Sequence, residues 1–187
     1  LYKKLFQQTA IYGLATVFPR LLSFILVPLY TEYLPTDEYG KVSIIFSYLI
    51  FFNVVLTYGM ETAFFRFYTT AENKKSVVST ATLSLLGSTL AFLVIALSFK
   101  SELASLTKIS LNYLVFTIWI LVADTLVVIP FAKLRAENKP IKYAVIKILN
   151  VALNLGLNVF FLVFLPKLAQ ESTSLFFNSI YEPSFQI

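Results

Sequence analysis

The chain has 187 residues, of which 58% are hydrophobic and 13% charged, and it carries a net charge of +5. That apolar share exceeds the ~45–50% of soluble domains and extends over almost the whole chain, so one soluble core cannot hide it and the bilayer is the expected solvent. With no Cys and no His, disulfides, thiolate metal sites and histidine acid–base chemistry are excluded and no cofactor is expected; the basic residues punctuate apolar runs and form no stripe with interleaved aromatics, which argues against a nucleic-acid partner.

A membrane-crossing helix needs ~20 mainly apolar residues. Segments 5–34, 38–68, 77–99, 111–134 and 141–165 qualify. The expected fold class is therefore all-α, a polytopic transmembrane helical bundle of about five spans covering 1–168, followed by a tail, 169–187. No signal peptide is expected, because the apolar run after Lys3 and Lys4 far exceeds the ~7–15 residues of an h-region. The chain reads as a piece of a longer one.

The first span contains "IYGLATVFPRLLSFILVPLY", which has no acid from Ile11 to Tyr30 yet holds Arg20 at its middle, beside Pro19. Pro19 and Pro28 free the carbonyls of Ala15 and Phe24, and freed backbone groups are tolerated at depth only where neighbouring helices or water satisfy them. At about 100° per residue, Thr9, Gly13, Thr16, Arg20 and Ser23 share one face, opposite Ile11, Leu14, Phe18, Ile25 and Leu29. A charge at a helix centre costs ~2.5–3.5 kcal/mol on insertion scales and usually marks a substrate or ion path. Arg20 is thus a cavity candidate, with snorkelling to the interface or a structural ion pair as the bland alternatives.

Pro35 ends that helix, and Thr36 or Asp37 can cap the next. On the second span Ser43, Ser47, Thr57 and Glu61 fall on a common face, followed by Arg66. Glu61 is a candidate to pair with Arg20 or Arg66, or to bind a coupling proton or cation; Arg66 reads mostly as an interfacial anchor. After the polar loop "TTAENKKS" comes the third span, and "KSELASLTKIS" separates it from the fourth. The fourth carries Asp124, with Thr117 on its face and Arg135 nearly in line. A carboxylate buried there is either a relay site or an interhelical hydrogen bond.

The fifth span has the clearest regularity: Lys147, Asn150, Asn154 and Asn158 keep to one side. Such amides can bind sugar hydroxyls or hold helices together at ~0.6–2 kcal/mol apiece. Four of the five spans thus bring a polar face, which suggests a hydrated cleft. Asp124 and Glu61 lie in different helices with no acidic motif around either, so an enzyme is not expected.

Lys3, Lys4, Arg66, Lys74, Lys75, Lys133, Arg135, Lys139 and Lys142 fall on one side of the five spans, against Lys41, Lys100, Lys108 and Lys167 on the other. The richer side is expected to be cytoplasmic, with the N-terminus inside.

Four stretches carry a family resemblance: "TAIYGLATVFPRLLSFILVPLYTEYLPTDEYG" from Thr9 to Gly40, "YGMETAFFRFY" from Tyr58 to Tyr68, "RAENKPIKY" from Arg135 to Tyr143, and "LNVALNLGLNVFFLVFLPKL" from Leu149 to Leu168. In order and spacing the chain resembles the N-terminal part of a polysaccharide-biosynthesis flippase, in the O-antigen and exopolysaccharide branch of the multidrug and oligosaccharidyl-lipid exporter superfamily. The resemblance implies two bundles of about twelve to fourteen helices in all, alternating around a central cavity. It implies undecaprenyl-pyrophosphate-linked oligosaccharide as substrate, the bacterial inner membrane as location, and polysaccharide polymerase and assembly proteins as partners. It makes 169–187 the external loop before a sixth helix, and Arg20 the pyrophosphate ligand. A delocalised cation with five donors suits phosphate oxygens. An ion-coupled exporter of small amphiphiles, with Glu61 or Asp124 as ion site, and a non-transporting membrane scaffold are the alternatives.

Overall fold

The computed structural model describes residues 2–167; within the first helix the side chains of Thr16, Arg20 and Ser23, among others, lie outside the described ones, as does the whole stretch 169–187. Every regular element among the described residues is a helix. Five stretches are long and apolar enough to cross a membrane: Thr9–Tyr33, Thr36–Thr70, Lys74–Ser98, Leu111–Ala136 and Pro140–Lys167. The expected all-α, five-span class is what the chain adopts.

Two of these stretches are interrupted. The second divides into α2 (Thr36–Thr57) and α3 (Met60–Thr70), after α1 (Tyr2–Tyr33). The joint is Tyr58 at φ 32° and Gly59 at φ 72°, both left-handed. Glycine takes that region without the Cβ clash that other residues meet. Ser43, Ser47 and Thr57 consequently lie on α2 and Glu61 on α3, so the single polar face expected of one continuous helix does not exist.

The third span is α4 (Lys74–Ser98), and the short α5 (Lys100–Thr107) leads to the fourth span. α4 starts three residues before the expected 77 because the Asn73 side chain caps it, accepting the Ser76 N–H at 3.2 Å and satisfying one of the donors a helix start leaves open. The fourth span divides into α6 (Leu111–Leu126) and α7 (Val128–Ala136). Pro130 explains the break: it has no N–H for the Leu126 carbonyl, and its ring would collide with that oxygen in a continuous helix.

α7 ends in a tight cap. Asn138 adopts φ 52°, its N–H reaches the Arg135 carbonyl at 3.0 Å and the Lys139 N–H reaches that of Leu134 at 3.0 Å. These are the paired bonds of a Schellman motif, with asparagine in the left-handed position. Pro140 then opens α8 (Pro140–Val159), where a missing N–H costs nothing. A π-helical turn, Phe160–Phe164, completes the fifth span.

The described chain forms two units, 2–40 with 140–167 and 41–139. In the first, α1 packs along α8. Ala15 and Leu26 are its buried aliphatics on α1, Tyr143 the buried residue of α8, and the Tyr12 and Tyr143 rings meet edge to face at 5.5 Å.

The second unit has two apolar clusters strung along α4. Phe64 and Tyr68 of α3, Ala81 and Leu85 of α4, and Ile129 and Ala132 of α7 form one. Ala96 of α4, Ile109, and Leu114 and Ile118 of α6 form the other, with Ile45 of α2 and Leu103 and Ala104 of α5 against it. Alanine and threonine recur along this α4 stripe: Ala81, Thr89 and Ala96 are all buried. Small side chains let helices approach closely, and close packing is what holds helices together in lipid, where burial from water no longer drives association.

Candidate functional site

The polar residues fall into two groups, one in each unit. In the first unit the amide ladder of α8 borders the α1 interface. Tyr30 of α1 donates from its hydroxyl to Asn158 Oδ1 at 2.7 Å, and Asn158 Nδ2 donates to the Asn154 carbonyl at 2.8 Å and to Asn154 Oδ1 at 3.2 Å. Asn158 therefore serves as helix-to-helix fastening, the role that interhelical amides play in membranes, while Asn154 bonds it within α8. Lys147 is half-buried, whereas Asn150 and Asn154 are exposed. The ladder thus splits: Asn158 is bonded to Tyr30 of α1, and Asn150 is exposed. Tyr30, the partner of the ladder, was not singled out from sequence; its signal is a phenol at the end of an apolar run that also carries Pro28.

On α1 the buried and half-buried positions among those described, Ile11, Tyr12, Ala15, Pro19, Leu26, Leu29 and Tyr30, make one broad stripe. The expected polar face lies beside this stripe, by about a quarter turn at 100° per residue. Of its members Thr9 and Gly13 have described surroundings, and both are exposed. Arg20 follows Pro19 near the middle of Thr9–Tyr33, and its side chain, like those of Thr16 and Ser23, lies outside the described ones.

In the second unit Glu61 makes no salt bridge with Arg66 among the described residues. Its Oε1 accepts from Arg135 of α7. The Arg135 guanidinium also lies over the Phe65 ring, 5.0 Å from the centroid, a placement favoured by the ring's negative face. A carboxylate already engaged by a guanidinium is a poor site for a coupling ion. The alignment of Arg135 with Asp124 read from sequence assumes one unbroken fourth helix, which the break between α6 and α7 interrupts.

Asp124 is exposed on α6 and is not the buried carboxylate expected, although Thr117, seven residues before it, is buried. Thr117 spends its hydroxyl on the Tyr113 carbonyl at 2.7 Å. The buried stripe runs through Leu114, Ile118, Leu121 and Thr125, with Thr117 at its edge. A straight helix drifts ~20° over seven residues, and that drift carries Asp124 out of the stripe.

A second charged cluster closes the same end of α7. Glu137 accepts from Tyr68 at 3.2 Å and from Lys139, with Lys133 Nζ at 3.8 Å. The hydrogen bond from Lys139, with those from Tyr68 and the nearby positive charges, holds the Glu137 carboxyl below its ordinary value against the opposing effect of burial. Lys139 is pushed up by the same hydrogen bond and by the Glu137 charge. Glu137 lies in the stretch "RAENKPIKY" but was not itself singled out. Among the described residues no three His, Cys, Asp or Glu side chains come together to hold a metal ion.

The polar groups are thus laid along membrane-length helices with no metal cluster among the described residues. The model of one family, polysaccharide biosynthesis protein, matches residues 5–182. The chain belongs to that family. No curated protein and no solved structure matches it. The family match runs across all five spans, and it joins a membrane-embedded helical protein to the synthesis of polysaccharide.

Proposed function

We propose that this family member is a flippase, moving an undecaprenyl-pyrophosphate-linked oligosaccharide across the bacterial inner membrane with its N-terminus in the cytoplasm. The observation that carries the reading is the family match over 5–182, laid on five helices able to cross a membrane. A protein of polysaccharide synthesis built this way handles a substrate that is itself in the membrane. The protein moves its substrate and makes or breaks no covalent bond; polysaccharide polymerase and assembly proteins act on what it delivers.

In this reading Arg20 meets the pyrophosphate. Arginine offers charge-assisted, two-pronged hydrogen bonds to phosphate oxygens, and a guanidinium at mid-membrane depth is otherwise a cost of ~2.5–3.5 kcal/mol. Asn150, exposed on α8, is placed to contact sugar hydroxyls. The engagement of Glu61 by Arg135 weighs against Glu61, one of the two carboxylates offered as the ion site of an ion-coupled exporter of small amphiphiles.

Deleting the gene is expected to make lipid-linked glycan accumulate on the cytoplasmic leaflet. Arg20→Ala, in the protein at its natural length, is expected to reproduce that accumulation at unchanged membrane abundance, with Arg20→Lys partly active. Normal glycan export from the Arg20→Ala strain removes the arginine from the mechanism. A deletion strain that accumulates no lipid-linked glycan overturns the flippase itself.

A further inference from the structure

α2 and α3 belong to one apolar run but are held in different ways. Past the break, α3 is tied to its neighbours by packing, charge and chain. Phe64 and Tyr68 share a cluster with Ala81 and Leu85 of α4 and with Ile129 and Ala132 of α7. Glu61 is bonded to Arg135, and Tyr68 donates to Glu137 at 3.2 Å. The short turn from Ala71 to Asn73 joins the end of α3 to the start of α4. Helices α3, α4 and α7 therefore make one body.

Before the break the attachment is thin. α2 is 22 residues long and its buried residue is Leu56, whereas the 16 residues of α6 bury six side chains between Leu114 and Thr125. Close packing is the chief attachment between helices in lipid, so α2 is lightly held. It meets α4 through Ile45, beside the Ala96 cluster, and through Phe52, whose ring lies 6.0 Å from that of Phe92.

The joint itself is strained. Tyr58 stands at φ 32° and Gly59 at φ 72°, and left-handed backbone is costly at a bulky residue. The Tyr58 phenol offsets that cost by reaching across to α4: its hydroxyl lies 3.1 Å from Ser84 Oγ, and Ser88 Oγ donates to it at 3.5 Å. Gly59 can take either hand. A Cβ added there would meet nothing within 4 Å, so the glycine serves the backbone and not a close contact.

We propose that Tyr58–Gly59 is a hinge on which α2 swings as an arm against the α3–α4–α7 body, and that the Tyr58 hydroxyl is the catch that holds the present angle. The arm carries Ser43 and Ser47 with it, while Glu61 stays with Arg135. Hinges of this kind are a few residues at the ends of elements that absorb a large change in φ and ψ. Ser47 lies 11 residues before Tyr58, about 17 Å along the helix, so a swing of about 20° moves it about 6 Å. The hinge stands whether or not the chain moves lipid-linked glycan.

The chain has no cysteine, so introduced pairs carry the only spin labels within it. In the protein at its natural length, reconstituted in lipid nanodiscs, Ser47→Cys with Val94→Cys reads the arm against α4. Thr69→Cys with Lys133→Cys reads α3 against α7. Electron paramagnetic resonance is expected to give two distances about 6 Å apart for the arm pair and one narrow distance for the body pair. Tyr58→Phe is expected to lower the share of the present angle against the swung one about threefold. Gly59→Ala, which disfavours the left-handed joint without a clash, is expected to lower it about fivefold. Gly87→Ala, inside α4 and equally free of clashes, is expected to change nothing. Helical circular dichroism of each variant establishes that it has folded. A single arm distance in the parent and in both joint variants overturns the hinge. So does a body pair that broadens along with the arm pair, or a Gly87→Ala shift as large as that of Gly59→Ala, because the motion then lies elsewhere than at Tyr58–Gly59.

Discussion

Glu61 and Arg135, 74 positions apart, are hydrogen-bonded partners, and they join the two short helices that follow the two interruptions, α3 and α7. The link matters because each helix has been released from its own span, one by the left-handed pair Tyr58–Gly59 and the other by Pro130. A cross-connection restores what chain continuity gave up. It lies beside the Phe64–Ile129–Ala132 cluster, so packing and charge fix the same neighbours.

Glu61→Gln and Arg135→Gln are each expected to lower stability, and the double variant to lose less than the sum. Because both side chains are partly exposed, at 43% and 36%, the coupling is expected to be on the order of 1 kcal/mol after solvent screening. Unfolding by SDS titration of the four proteins in mixed micelles measures it. Strictly additive losses would show that the pair does not act as a pair. The charge-exchanged variant, Glu61→Arg with Arg135→Glu, is expected to keep export, as a structural pair should and an ion site should not.

Tyr30→Phe removes the hydrogen bond from α1 to Asn158 and is expected to cost ~0.6–2 kcal/mol, the range for interhelical bonds in membranes. Asn150→Ala, at an exposed position on the same helix, is expected to stay within ~0.5 kcal/mol of the parent while lowering glycan export. An Asn150 variant that loses stability as much as Tyr30→Phe does would place Asn150 in the packing and not at a ligand.

The Glu137 carboxyl lies below its ordinary value in the fold, chiefly through the Lys139 hydrogen bond. Its folded form therefore binds a proton less readily than the unfolded chain. Its contribution is present above the unfolded carboxylate pKa of ~4.3 and is lost as pH falls through the lower folded value. Lys139 has the opposite sign: raised in the fold, it contributes below the ordinary lysine value and loses that contribution as pH rises through its folded one. Thermal scans should show the parent losing stability in acid more steeply than Glu137→Gln. Parallel pH profiles for the two proteins would count against this cluster.

Thr89 is buried on α4 at 1% exposure, and its hydroxyl has no hydrogen-bond partner among the described residues. Valine has nearly the same shape without the hydroxyl, so Thr89→Val is expected to stabilise by about 1 kcal/mol. Thr125, equally buried, bonds the Leu121 carbonyl at 2.8 Å, and Thr125→Val is expected to gain less. A Thr89→Val protein that melts below its parent would reveal a partner for that hydroxyl.

The five spans were legible from sequence because hydrocarbon admits backbone only when its polar groups are satisfied within the segment, which makes apolar length nearly a sufficient signal. Both interruptions also had local signals, Gly59 and Pro130, but long apolar runs outweighed them in the reading. The faces suffered accordingly. Ser43, Ser47, Thr57 and Glu61 share a face only on an unbroken helix, and Asp124 shares one with Thr117 only if helical drift is ignored. The amide ladder admits two roles from sequence, ligand binding and helix packing, and in the fold Asn158 bonds Tyr30 of the neighbouring helix.

Composition and apolar length alone determined that this chain is helical, membrane-embedded and about five spans long, because solvent imposes those features on each segment separately. Order and spacing of motifs along the chain carried its kinship with polysaccharide biosynthesis proteins. Tertiary structure alone decided that Glu61 belongs to Arg135, that Tyr30 holds Asn158, and that Tyr58 reaches Ser84 of α4. Such pairings depend on which helices become neighbours and how each is rotated, and in lipid those are settled by close packing of side chains from distant parts of the chain, which periodicity within one helix does not encode.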